Sequence, residues 1–341
     1  MRRLMRPLLY LIHAALALAG CARPSPPARA GRAPTEAAPL FRFRVDFWAN
    51  LNEVLLHESL LPRPGFEGPK SLKNRHVVHA DILAPAEAAS WRAALAYYDG
   101  HFSTRNLFDQ FIGAMPSFVG VDASQTLVAT AHLDEEWRRQ LLLAAPVYRT
   151  HFWPAHEQRD RAYIEGMQPL VAAHGAWFAK RVVAVFGMPL PAEPIDVDVT
   201  PVVPPFGGFT SGEPPYTPPH AALITLSSED PSYAGDGGVE MLFHEVSHLI
   251  VGRVENALAA SAKRQGRELP PRLWHDVIFY TAGHLAQERL GPTYVPFAER
   301  ASSQLFKEND PTLLVLKRAW QPYLDGRITL DAATDAIAAS F

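Results

Sequence analysis

A chain of 341 residues, 48 % of them hydrophobic, can bury one large core or two modest ones. Its formal net charge of −3, with no basic block in the body of the chain, leaves no electrostatic footprint for nucleic acid. The 31 prolines cluster outside the periodic segments and mark loops, and the single cysteine, Cys21, excludes an internal disulfide framework.

The chain opens with the basic run Met-Arg-Arg-Leu-Met-Arg, followed by an apolar stretch from Pro7 to Ala19 that is short for a membrane span. Leu18-Ala19-Gly20-Cys21 closes that stretch with small residues before the cysteine. This pattern resembles the lipobox of a bacterial lipoprotein precursor. The resemblance implies a signal peptide over 1–20, cleavage before Cys21 and lipidation of its thiol. It also implies a place in the bacterial cell envelope, at the outer membrane or cell surface and not in the cytoplasm, with Ala22 where an inner-membrane retention signal would carry aspartate. Two or three acyl chains anchor stably, since each buried CH₂ contributes about 0.8 kcal/mol. An ordinary secretory signal or an uncleaved anchor is the alternative. Residues 21–39 are rich in Pro, Ala and Arg with no apolar period, and read as a disordered tether.

Residues 40–190 are helical in pattern. Asp46 is placed to cap a helix through Phe47, Leu51, Val54, Leu55 and Leu60, and further helices are expected over 87–98, 107–115 and 134–145. A longer one is expected over 157–186, with Tyr163, Met167, Leu170, Trp177, Phe178 and Val182 as its apolar positions. The histidines here are scattered, and a lone histidine in such a setting is usually a satisfied core or surface residue.

The character changes after Pro191. Ile195 to Val203 alternates Asp, Val and Thr and reads as a strand, and Ala221 to Ser227 reads as a second. Between them 204–219 reads as a long Pro/Gly-rich loop whose Phe206, Phe209 and Tyr216 either line a cleft or tack the loop down. Turn residues 230–238 lead into a helix expected to run from Gly238 to about Ala262, apolar nearly all round. Pro270 and Pro271 start the next helix, and helical pattern returns over 295–306, 313–324 and 331–339.

The chemistry is concentrated in His244-Glu245-Val-Ser-His248. Two histidines four apart lie one turn above the other on one helix face, so both imidazoles can reach one Zn²⁺ at about 2.0–2.1 Å. Glu245 stands beside them as a proton acceptor. Unpaired imidazoles and a carboxylate on so apolar a helix each cost a few kcal/mol, roughly, and a metal satisfies them together. The bland alternative is a helix whose two histidines are hydrogen-bonded core residues.

This segment resembles the zincin metallopeptidases, over about 196–291. The resemblance implies one zinc held by His244 and His248, with Glu245 as general base toward the zinc-bound water and then proton donor to the leaving amine. The metzincin extension is absent, because Val251 and Val254 stand where it needs Gly and His. In gluzincin-like members the third ligand comes from the opening turns of the following helix, commonly as glutamate. His275, 27 positions after His248, holds that place, and imidazole is an equally competent ligand. Glu288 and His284 are its competitors. Tyr280 and Tyr294 are candidates for stabilising an oxyanion, and packing is the commoner role for such tyrosines. The resemblance also implies that the strand before the metal helix, Ala221 to Ser227, pairs with an extended peptide substrate.

The expected fold is therefore α+β and predominantly helical, with a zincin-like region of small sheet and metal helix over 191–341 that can share one domain with 40–190. The expected function is that of a membrane-anchored zinc metallopeptidase acting on peptide or protein substrates. The rival is a non-catalytic cell-surface lipoprotein whose His-Glu-x-x-His helix is structural or binds metal without turnover.

Overall fold

In the computed structural model the described residues are those from 39 to 341 other than 62–81, 103–106, 212–221 and the single positions 123, 125, 126, 129, 131, 205, 206, 301, 304 and 308. Cys21 and the rest of 1–38, as well as Phe206 and Tyr216, lie outside them. Residues Pro39–Phe341 form one compact unit.

The unit is mainly helical with one small mixed sheet. In chain order the elements are β1 (Phe41–Arg44), α1 (Phe47–Leu60), α2 (Pro85–His101), α3 (Glu135–His151), α4 (Trp153–Phe186), β2 (Ile195–Thr200), β3 (Gly208–Ser211), β4 (Leu223–Ser227), α5 (Asp236–His248), α6 (Gly252–Gln265), α7 (Leu273–Leu290), α8 (Pro311–Val315), α9 (Gln321–Leu324) and α10 (Leu330–Ala338). A π-helical turn, Leu316–Trp320, joins α8 to α9. The strand order is β1-β2-β4-β3, parallel except for β3, which runs antiparallel to β4.

The sheet is buried on both faces, and alternation along its strands assigns each residue to one side. Ile195, Val197, Ile224 and Leu226 join the core made with α4, α5 and α7. Leu223 and Phe209 join the core made with α1, α2 and α3. The halves 40–190 and 191–341 are thus stitched together, since β1 from the first pairs with β2 from the second. All fourteen residues of α1 are buried, including Asn50, Glu53 and His57.

Three expectations are corrected. The strand Ala221 to Ser227 is internal: its observed part, β4, pairs with β2 on one side and β3 on the other, so it offers no free edge. The edge is β3, inside the segment read as loop, and its Phe209 is buried in the α1 core, away from the α5 side of the sheet. The expected continuous helix 238–262 is interrupted at 249–251, where Leu249 and Ile250 donate to the carbonyls three residues back, and α6 starts afresh at Gly252. Finally, the described residues of 295–306 form a 3₁₀ turn, Phe297–Glu299, and not the expected helix.

Glu53 gives this fold a pH dependence. It is fully buried, neither carboxyl oxygen has a hydrogen-bond partner among the described residues, and burial followed by the charge of Asp198 drives its pKa well above 4.5. A raised carboxyl pKa means that the unfolded chain ionises first, so the contribution of Glu53 to stability declines as pH rises past about 4.5. Glu53→Met removes the buried acid at similar length. Chemical denaturation is expected to show the variant gaining on the wild type between pH 5 and pH 8; an equal difference at both pH values would contradict the protonated, unpaired state.

Candidate metal site

Two glycines set the approach of α5 to its surroundings. A Cβ on Gly237 would lie 2.4 Å from the Ser232 carbonyl oxygen, and one on Gly238 would lie 2.3 Å from the Tyr233 carbonyl oxygen and 2.7 Å from Met167 Sδ. Only glycine lets the turn 230–235 fold back this closely on the first turn of the helix. From there α5 runs between the sheet and α7, with Val239, Leu242, Phe243 and Val246 buried around it. His244, Glu245 and His248 are consequently carried into an interior.

The structure brings His244, His248 and His275 together, with one ligand atom of each within 4.8 Å of the others. These three histidines lie close enough to bind a metal ion. His275 sits in the first turn of α7, which the Pro270-Pro271 pair starts beside the end of α5. Its ring centroid lies 5.2 Å from that of His244 and 5.0 Å from that of His248. Nε2 of His244 and Nε2 of His248 are 3.3 Å apart. Two nitrogens each about 2.0–2.1 Å from a tetrahedral ion stand about 3.3–3.4 Å apart, so the pair fits that geometry better than it fits a hydrogen bond.

Electrostatics agree with a neutral donor set. Burial holds His244 well below the usual histidine range, reinforced by His248 and His275. Burial lowers His248 to about 4, and burial with the nearby charges of His248 and Arg272 lowers His275 to about 3. Neutral imidazole is the ligating form. One departure from the usual arrangement stands out: His244 Nδ1 is buried and has no hydrogen-bond partner among the described residues, where a metal-binding histidine ordinarily donates its second nitrogen to a carboxylate or carbonyl. Ring packing orients it instead, since the Phe279 ring lies 3.9 Å from it between centroids.

Glu245 is 3 % exposed and close to both rings, with Oε1 4.0 Å from His244 Nε2 and Oε2 3.9 Å from His248 Nε2. These contacts are not an ion pair, because burial raises the carboxyl to about 8 while the imidazoles are depressed. The Thr210 hydroxyl, from β3, lies 2.8 Å from Glu245 Oε2 and 2.8 Å from its carbonyl oxygen. Ser227 N donates to Gly207 O at 2.9 Å, which makes 207, 209 and 211 the positions bonded to β4 in the antiparallel register. The main-chain groups of Gly208 and Thr210 therefore face the outer edge.

The remaining candidates fall elsewhere. Glu288 pairs with Arg181 at 2.9 Å, and His284 packs against Gln321 and Asp325. The Tyr294 hydroxyl donates to Glu240 at 2.6 Å and the Tyr280 hydroxyl to Gln321, so neither phenol is directed at the histidines by its hydrogen bond. Glu240, one turn before His244, also accepts from Phe297 N at 2.9 Å. This clasp ties 294–297 to the opening turns of α5. It also seats Phe297 on Phe279, 5.9 Å between centroids at 14°, behind the His244 ring. Thr210, Phe279 and Trp274, whose ring is 5.6 Å from that of His248, are site residues that sequence reasoning missed. No family model, no curated protein and no solved structure matches the chain.

If His275 completes the donor set, His275→Ala will release the metal while His284→Ala and Glu288→Ala retain it. Elemental analysis of the four folded proteins decides: full metal content in His275→Ala contradicts the assignment.

Proposed function

We propose that the protein is a membrane-anchored zinc hydrolase of the metallopeptidase kind. The observation that carries the reading is the pairing of three converging neutral imidazoles, two of them 3.3 Å apart, with a buried carboxyl about 4 Å from both. An all-nitrogen set of three suits Zn²⁺ and leaves a fourth position for water or substrate. When bound there, zinc supplies Lewis acidity toward a carbonyl and lowers the pKa of water.

The protein's own residues supply the rest. Glu245 accepts the proton of the attacking water and returns it to the departing amine nitrogen, so no net proton is gained or lost by the side chain. An extended peptide binds along the edge of β3, where Gly208 and Thr210 offer outward main-chain groups, which gives affinity with little side-chain selectivity. The half-buried Trp274 and the Phe279 ring wall the histidines and limit water. The amino-terminal lipobox supports attachment to a membrane through Cys21; among the described residues no helix is long and apolar enough to cross one.

Glu245→Gln is expected to keep metal and fold while peptide hydrolysis falls by roughly 10²–10⁴, the range for general acid–base assistance. A peptide library read by mass spectrometry supplies the assay, and a wild type that holds metal yet cuts nothing would put the binding-protein rival first. Cys21→Ser is expected to abolish acyl labelling and move the protein out of the membrane fraction; membrane retention without label would show an uncleaved anchor instead.

A further inference from the structure

We infer that Thr210 is a positioning residue that fixes the Glu245 carboxyl to the edge strand, so that the strand receiving substrate and the proton carrier move as one body. The inference rests on the metallopeptidase reading for its kinetic consequence and on geometry for the contact itself.

Three observations converge on this hydroxyl. First, the helix ladder lapses at Glu245. Leu249 N donates to Val246 O at 3.1 Å, three residues back, and so leaves the Glu245 carbonyl without its usual donor four residues on. Second, Thr210 Oγ1 lies 2.8 Å from that carbonyl and 2.8 Å from Oε2 of the same residue. A hydroxyl has one hydrogen and two lone pairs. It can therefore donate to one of these two oxygens at a time while staying within reach of the other, which ties the carboxyl to the main chain of its own helix through one strand residue. Third, Thr210 sits at a position whose main-chain groups face away from β4, so its backbone is at the substrate edge while its side chain holds the base.

The physical expectation is a kinetic one. A carboxyl freed from this contact samples other rotamers, and misplacement of a reacting group by about 1 Å can cost up to about 100-fold in rate. Substrate affinity through the β3 backbone is untouched by removing a hydroxyl.

Thr210→Val keeps the branched shape suited to a strand, and the pair Thr210→Ser and Thr210→Ala differs only in the hydroxyl. Peptide turnover by Val and Ala variants is expected to fall at least about tenfold in kcat, with KM and metal content near wild type, while Ser retains most of it. Equal activity of Ser and Ala, or a loss confined to KM, overturns the inference. A second readout needs no turnover. In metal-free protein, thermal unfolding of Thr210→Val, Glu245→Ala and the double variant forms a cycle, and the Tm loss from Thr210→Val is expected to shrink in the Glu245→Ala background. Additive losses overturn the contact. A wild type without peptidase activity defeats the metallopeptidase reading alone, and the cycle then still decides whether Thr210 and Glu245 are coupled.

Discussion

Everything at this site follows from the burial of one helix that is apolar nearly all round yet carries two imidazoles and the buried carboxyls of Glu240 and Glu245. α5 lies between the sheet and α7 with His244 and Glu245 buried, and hydration can no longer pay for their charges. Burial therefore pushes histidines and carboxyl in opposite directions, toward neutral forms on both. The neutral imidazoles are competent metal donors, and the Glu245 carboxyl, its pKa raised by burial, lies about 4 Å from both. Introducing a dication reverses the balance for the carboxyl, because a nearby positive charge favours its ionised form.

The supports of α5 explain how such a helix stays in one place. Glycines 237 and 238 admit the backbone of 232–233 to its first turn, Glu240 clasps the 294–297 segment, and Thr210 ties its last full turn to the edge strand. Phe297 stacked on Phe279 backs the His244 ring, whose Nδ1 no polar group among the described residues holds. Orientation by packing gives rigidity without raising the basicity of the ligand, unlike the carboxylate contact common behind metal-binding histidines. The sheet passes these constraints to the α1 core, since its opposite face is buried there.

How much of this was legible in the sequence depends on whether the signal was local. The His244 and His248 spacing is a property of a single helix, and the proline pair before α7 marks where His275 enters, so the three histidines could be named before their distances were known. The helices 47–60, 134–145 and 157–186 likewise follow from apolar periodicity. β3 could not be read so, because Gly208-Phe-Thr-Ser211 is short, glycine-led and set among prolines, and its strand conformation is imposed by pairing with β4. The break at 249–251 falls in the apolar run Leu-Ile-Val, which fits either state, and there the Thr210 hydroxyl lies 2.8 Å from the Glu245 carbonyl that the helix ladder leaves without its usual donor. Thr210 was invisible in the sequence, being significant only through a residue 35 positions away.

We propose that these three histidines hold zinc together. Zinc K-edge X-ray absorption on the protein as purified addresses it directly, since the first shell reports donor type, number and distance. About one zinc per chain is expected, with three imidazole nitrogens and one oxygen at about 2.0–2.1 Å and multiple-scattering features of imidazole. A shell of two imidazoles with oxygens only, persisting unchanged in His275→Ala, or the absence of zinc from folded protein, would contradict it.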